Sequence, residues 1–302
     1  MLYKNMQGLI GDTPLVKLGN MGLPTGINVF AKLELYNPSG SVKDRIGQYM
    51  VDAAERDGIL KPGGAIIDAT AGNTGLGIAF AALGRGYRII FVVPTKFSAE
   101  KQTLLRSLGA EVINTPKEGG MRGATEKAAE LRSAIPNSVS LDQFKNMNNP
   151  LAHYEHTGPE IYRDMDGKID YFVAGAGSGG TYTGVMKYLK EKNPSVKGVL
   201  ADPVGSTMGG GECAGYCIEG IGNDFIADTM DMRLVDEVVK INDDEAFTTT
   251  RRLAKNEGIF AGSSSGAAMA AVIKFAATIK TGHIVTIFPD RGDRYFSKEL
   301  YL

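Results

Sequence analysis

Four stretches combine glycine with hydroxyl side chains directly after an apolar run, a composition suited to holding anions on backbone N–H groups. In Gly175-Ala176-Gly177-Ser178-Gly179-Gly180-Thr181 the glycines let the main chain approach a phosphate closely, and Thr181 adds a hydroxyl donor. A plain tight turn is the alternative there. Thr70-Ala71-Gly72-Asn73-Thr74-Gly75 offers N–H groups, threonine hydroxyls and an amide to a carboxylate, although Asn73 or Thr74 could simply cap the next helix. Gly262-Ser263-Ser264-Ser265-Gly266 reads as a further cap cluster that could lend one hydroxyl to a cofactor ring. In Asn37-Pro38-Ser39-Gly40-Ser41-Val42-Lys43-Asp44-Arg45, Ser41 is the expected N-cap, which puts Lys43 in the first helical turn. The positive end of the helix dipole disfavours an ammonium there, lowering its pKa and sharpening the amine for Schiff-base chemistry. A solvent-exposed lysine is the common alternative.

The 175–181 loop also fits Gly175-x-Gly177-x-x-Gly180, with Asp202 near the distance of a ribose-binding acid. A dinucleotide-dependent oxidoreductase is therefore the rival from another class, but it leaves the other loops unexplained. His153 and His156 are three apart and His283 is distant, too few ligands for a metal, and no metal site is expected. Cys213 and Cys217 read as free thiols in a Gly-rich loop, which favours a reducing compartment.

These loops must be positioned by the elements around them. Short β-branched runs at 28–35, 65–69, 88–93, 110–114, 171–174, 197–201, 237–241 and 284–288 read as strands. Segments of helical period lie at 42–57, 74–84, 98–108, 122–135, 180–190, 243–256 and 265–278. Such alternation predicts an α/β fold of parallel sheets covered by helices, which bind ligands at the ends of their strands. The polar break Asn146-Met147-Asn148-Asn149-Pro150 marks a domain crossover. Lys+Arg total 33 and Asp+Glu 34, a balance that gives no support to a nucleic-acid or membrane-surface role. The N-terminal residues hold no apolar run of signal length, and no segment approaches the roughly 20 apolar residues of a membrane span. A cytoplasmic protein is expected.

Taken in order, Asn37 to Arg45, Thr70 to Gly75, Gly177 to Thr181, Glu219-Gly220-Ile221-Gly222 and Gly262 to Gly266 resemble the cysteine synthase (O-acetylserine sulfhydrylase) and cystathionine β-synthase family of fold-type-II pyridoxal-phosphate (PLP) enzymes. The resemblance spans Ile10 to Tyr295. It implies a two-domain, tryptophan synthase β-like architecture. A smaller mobile domain, 40–145, would carry the carboxylate loop, and a larger one, 1–39 plus 146–302, would bind the cofactor phosphate. It implies that Lys43 forms the Schiff base with PLP and acts as general base, and that Gly177, Ser178, Gly179, Gly180 and Thr181 cup the phosphate. It further implies that Asn73 meets the cofactor's ring oxygen and Ser264 its pyridine nitrogen. Thr70, Ala71, Gly72, Thr74 and Gln143 would bind the substrate carboxylate, with Gly220 beside the substrate. A serine at the pyridine nitrogen does not force its protonation, so loss of a β-leaving group is favoured over transamination.

The implied reaction is β-replacement through an aminoacrylate, with O-acetylserine and sulfide giving cysteine and acetate. Alternatives are use of homocysteine, as in cystathionine β-synthases, and a cysteine β-lyase releasing hydrogen sulfide with serine or lanthionine as product. The sequence departs from the usual cysteine synthase pattern at Ala71, Asp68-Ala69, Asp202 and the short stretch Gly205 to Tyr216. The Ala71 form and Gly262 to Gly266 are more similar to bacterial enzymes that accept larger thiols, and Asn149 to Tyr154 resembles cystathionine β-synthases. The haem-binding and regulatory extensions of some of those enzymes have no place in these residues. Asp224 could face the reacting carbon and activate water or a second thiol; a solvated loop residue is the alternative. The partners implied are small-molecule amino acids and thiols, with a homodimeric assembly.

Overall fold

The structure is a computed structural model describing residues 2–302 apart from Ala71, Lys96, Ser98 and Glu299. Among the described residues the strands form two sheets. One contains Leu15–Leu18 (β1), Ile27–Leu33 (β2), Tyr171–Gly175 (β7), Lys197–Pro203 (β8), Glu237–Ile241 (β9) and Gly282–Phe288 (β10), in the order β1-β2-β10-β7-β8-β9. Only β1 runs antiparallel to its neighbour; the other pairings are parallel. The second sheet contains Ala65–Ala69 (β3), Arg88–Pro94 (β4), Glu111–Thr115 (β5) and Ser138–Val139 (β6), in the parallel order β5-β4-β3-β6. In β4, Ile89 to Val93 are all buried. A strand covered on both faces needs no polar alternation, which is why this run is continuously apolar.

The helices are Lys43–Arg56 (α1), Asn73–Ala81 (α2), Ala99–Ser107 (α3), Gly120–Ala134 (α4), Asn148–Ala152 (α5), Gly158–Asp164 (α6), Gly180–Lys192 (α7), Asp243–Glu257 (α8) and Ser263–Ala276 (α9). Helix α8 shows how local sequence sets the ends. Asn242 and Glu245 form a reciprocal capping box, and Gly258 closes the helix at φ +70. This is the α/β class expected, with its predominantly parallel sheets flanked by helices.

Two features fix the helices that carry the chemistry. First, α1 and α2 cross with their backbones in contact. A Cβ added to Gly47 would collide with the Gly77 carbonyl, and one on Gly77 with the Lys43 carbonyl. Second, the start of α1 is tied into a buried ionic network. Arg45 donates to Glu34 at 2.7 Å and to Glu160 at 2.7 Å, while Lys32 reaches Glu160 at 2.8 Å. Breaking such a network by removing one member costs about 3–5 kcal/mol, because a buried charge is left alone.

Three elements differ from the sequence expectation. β1 and the two-residue β6 were not foreseen. The polar stretch after Asn146 is not simply a break, since it runs α5, a π-helical turn at His153–Thr157, then α6. Pro150 is tolerated because it lies in the first turn of α5, where the missing N–H has no intrahelical acceptor.

Candidate active site

A cleft opens where the C-terminal end of β7 meets the start of α1. It is lined by Val42, Lys43, the loop Gly175–Gly179, Thr181, Gly220 and Ile221. Two loops more than a hundred residues apart thus face one space, and the lysine is between them.

Lys43 is the first residue of α1 and is half-buried. Its helix begins at Val42 rather than at the expected Ser41 cap, although the Ser41 hydroxyl still accepts from the Lys43 N–H at 3.3 Å. Burial pushes the amine below its ordinary pKa, and the Asp290 carboxylate opposes that shift. The direction matches the sequence argument, but the leading cause is desolvation. An amine of this kind is more often neutral at physiological pH than a surface lysine.

The 175–181 loop is shaped as a cradle. Gly179 caps α7 at φ +83 and offers no side-chain cap, so the first N–H groups of α7 keep no partner from that residue. A Cβ at Gly177 would lie 2.5 Å from the Gly220 carbonyl oxygen, one at Gly179 would strike Met230, and one at Gly180 would strike Asn149. Only glycine fits these positions. The loop is braced by Gly222 N–H to the Ala176 carbonyl at 2.7 Å and by the Asn223 amide to the Gly177 carbonyl at 2.6 Å.

Helix α2 begins at Asn73 with Gly72 as its cap and no side-chain capping bond. Asn73 and Thr74 are therefore not the caps of α2; they stand inside its first turn, and the turn's N–H groups remain available to a carboxylate. Thr74 donates to the Gln143 side-chain oxygen at 2.8 Å, so these two predicted partners do meet. Thr70 is buried at the end of β3. Ala71 lies outside the described residues. Buried Asp68 accepts from the Leu141 N–H at 3.0 Å and from Ser140, which ties the segment leading to Gln143 onto β3. Asn73 donates to Asp290 at 2.7 Å and accepts from Arg294. Ser264 lies buried in the first turn of α9, and its hydroxyl has no hydrogen bond among the described residues. Gly220 lines the cleft, whereas Asp224 is exposed and does not line it.

Three residues bear on the site although no site role was assigned to them from sequence. Asn149 donates to the Ser178 hydroxyl at 2.9 Å and to the Gln143 carbonyl at 2.7 Å, joining the glycine cradle to the carboxylate partner. His153, read as ordinary packing or surface, is buried and holds the Thr181 hydroxyl at 3.0 Å through Nε2 and that of Thr157 at 2.9 Å through Nδ1. Burial, then the charges of Arg45 and Lys43, keep this imidazole well below its usual pKa, so it stays neutral. Asp290 is the third. For Asn149 and His153 the available signal was the resemblance of Asn149 to Tyr154 to cystathionine β-synthases; for Asp290 there was none. His156 is exposed, with its ring edge-on to Tyr49, and Cys213 and Cys217 are exposed free thiols.

The donor set suits a phosphorylated aldehyde cofactor. Glycines at 177, 179 and 180 let the cradle close against Gly220, Met230 and Asn149 with no side chain in the way, which leaves the first N–H groups of α7 for a phosphate; an amine of lowered pKa stands ready for a carbonyl carbon, and the Ser264 hydroxyl is uncommitted. Asp202, the acid a dinucleotide would need, is instead buried and bound to Lys240 and the Gly209 N–H.

The profile of the family "pyridoxal-phosphate dependent enzyme" matches residues 6–290. The O-acetylserine dependent cystathionine beta-synthase of Bacillus subtilis (strain 168) is 50% identical over 294 residues, covering 97% of this chain and 96% of that one. A cysteine synthase of Helicobacter pylori (strain ATCC 700392 / 26695) is 45% identical over 305 residues and covers 100% of both. The crystal structure of an O-acetylserine dependent cystathionine beta-synthase from Helicobacter pylori superposes with a TM-score of 0.95 at 44% identity, again over 100% of both chains.

Proposed function

The chain belongs to the pyridoxal-phosphate dependent enzyme family and is a β-replacement enzyme, and from that premise we propose that it replaces the acetoxy group of O-acetylserine with a sulfur nucleophile, using Lys43 as the cofactor lysine and general base. The observation that carries this reading is the half-buried Lys43 amine facing the 175–181 cradle across one cleft.

When bound, pyridoxal phosphate withdraws electrons from the substrate Cα, so that its proton and the β-substituent can leave. The protein's own groups do the rest. The first turn of α2, with Thr74 and Gln143, holds the substrate carboxylate, which fixes the Cα–H bond toward Lys43. Lys43 would hold the cofactor through its amine and, as general base, would take the Cα proton and later return it. Burial lowers the pKa of this amine, against the pull of Asp290, which favours the neutral form that accepts a proton. Gly177 to Thr181 hold the phosphate, with Thr181 steadied by His153. Ser264 offers its hydroxyl to the ring nitrogen. The smaller unit 40–145 closes over the bound substrate about the start of α1, which the ionic network holds in place, and excludes water that would otherwise intercept the reactive carbon.

Sulfide as nucleophile gives cysteine and acetate. A second reading, homocysteine giving cystathionine, is favoured by the 50% identity to an enzyme named for it. We further propose a cytoplasmic homodimer. Among the described residues no helix is long and apolar enough to cross a membrane.

The test has two stages. Purified protein absorbs in the visible through its lysine-bound cofactor, and Lys43→Ala abolishes both that absorbance and turnover while leaving the chain folded. Product analysis of O-acetylserine mixed with sulfide or with homocysteine then identifies the nucleophile. A K43A variant that retains wild-type turnover ends the proposal.

A further inference from the structure

Asp290 is a carboxylate buried to 2% exposure whose role the proposed reaction does not use. It sits where three parts of the site converge. Residue 290 forms an isolated bridge with Ser41, two residues before Lys43. Its carbonyl accepts from the Gly262 N–H at 3.0 Å, at the start of the helix carrying Ser264. Its side chain takes the Asn73 amide at 2.7 Å and the Tyr295 hydroxyl at 2.6 Å, both on Oδ2. Oδ1 is buried with no hydrogen-bond partner among the described residues, packed where Gly262 leaves no Cβ to exclude it.

The chemistry of the Asn73 contacts decides what this arrangement does. A side-chain amide has an accepting oxygen and a donating nitrogen of nearly equal size, so its orientation depends on its partners. On one side of Asn73 stands a carboxylate, which in both its bonds only accepts. On the other stands the Arg294 guanidinium, which can only donate and does so to Oδ1. Turning the amide over would set oxygen against carboxylate and N–H against guanidinium, two repulsive contacts in place of two bonds. One orientation is therefore enforced. It leaves a single Nδ2 hydrogen with no partner among the described residues, and that hydrogen is the only side-chain donor Asn73 has left.

We propose that Asp290, with Arg294, is a positioning residue that locks the Asn73 amide so that an N–H, never the amide oxygen, is presented to the anionic ring oxygen of the bound cofactor. The proposal rests on the reading that Asn73 meets the cofactor. Asp290 acts through Asn73, and the carboxylate is needed for its inability to donate. Asparagine at 290 has the same shape but can donate or accept, so one of the two contacts that oppose turning of the Asn73 amide is lost and the lock is weakened.

The experiment measures release of pyridoxal phosphate from holoenzyme, followed by loss of visible absorbance, in wild type, N73A, D290N and the double variant. D290N is expected to weaken cofactor binding about tenfold or more, the scale of a hydrogen bond to a charged acceptor. Its melting temperature is expected to stay level or rise, since a buried carboxylate with an unpartnered oxygen becomes neutral. In the N73A background the same change is expected to alter binding less than twofold, because its target is gone. R294M removes the opposing donor and is expected to repeat both results, which keeps the test decisive if D290N does not fold. If N73A alone binds cofactor as wild type does, the assignment of Asn73 is wrong. If N73A weakens binding but D290N changes neither background, or weakens both equally, the locking role is wrong and the assignment of Asn73 stands.

Discussion

Replacing Gly177 by alanine isolates the cradle from every other part of the site. Gly177 has no positive φ, so alanine brings no backbone strain and only the added methyl matters. That methyl would lie 2.5 Å from the Gly220 carbonyl oxygen, whereas ordinary contact begins at 3.4 Å, so about 0.9 Å must be found. Both sides resist. The Gly177 carbonyl is held by Asn223 at 2.6 Å, and Gly222 is bound to Ala176 at 2.7 Å, so the two loops cannot simply slide apart. Overpacking of this kind costs about 1–3 kcal/mol. If the strain is relieved by pushing residue 177 into the phosphate space, pyridoxal phosphate binds roughly 5- to 150-fold more weakly, at about 1.4 kcal/mol per tenfold. The melting temperature of the cofactor-free protein then falls by no more than a few degrees. The control is G72A. Gly72 lies at φ −137 with nothing within 4 Å of an added Cβ, and its replacement is expected to leave cofactor affinity unchanged. Equilibrium titration of the cofactor into each variant provides the readout. A G177A protein with wild-type affinity but lowered stability would show that residue 220 yields instead, and the rigid-cradle argument would fail.

Two further changes probe the groups behind the site. His153→Phe removes the hydrogen bonds to Thr181 and Thr157, and about 1 kcal/mol of cofactor affinity, roughly fivefold, is expected to go with them. Because the imidazole is already neutral, the pH profile of kcat between pH 6 and 8 should keep its shape; a lost limb in that range would contradict the assignment. For Glu160, burial works against the charge, yet the Arg45 and Lys32 contacts outweigh it and hold the carboxyl down to about 2. Its folded value lies below its unfolded one, so the stabilisation is complete above pH 4.5 and disappears as pH falls toward 2. The move from 4.5 is worth roughly 3 kcal/mol at neutral pH. Denaturant melts of E160Q should show a large loss at pH 7, where Arg45 and Lys32 are left undercompensated, and a flatter slope below pH 4.5 than wild type; an unaltered acid slope would refute this account.

The strands and helices that carry strong periodicity were legible without coordinates. Ile89 to Val93 could only be a doubly covered strand, and the runs before each glycine loop identified the strand ends that bear the site. What escaped notice had physical reasons. β1 leaves Val16 and Lys17 exposed and buries only Leu18 fully, too weak an alternation to mark a strand. The stretch after Asn146 looked like a loop because asparagine and proline disfavour helices, but tertiary contacts override that preference. Asn149 is retained there for its two amide bonds, not for its propensity. The cap expected at Ser41 lies at Val42, and the alternative of a cap at Asn73 or Thr74 falls to Gly72, since neighbouring residues satisfy the pattern and only dihedral angles decide. Asp290 was invisible for a different reason. Phe288-Pro289-Asp290-Arg291-Gly292 reads as a turn, and the partner that gives the carboxylate its meaning is 217 positions away in the chain.

The glycine-to-glycine crossing of α1 and α2 makes the protein a ruler. With no side chains between them, the two helix starts have almost no play: the main chain at Lys43 and the open amides after Gly72 are held at one separation by main chain resting on main chain. Under the proposed reaction these are the two points that grip a substrate, one near its nitrogen-bearing carbon and one at its carboxylate. A compound with one more carbon between those groups, once its carboxylate is bound, sets its reacting carbon off the Lys43 side, so β-amino acids are expected to react more slowly than α-amino acids.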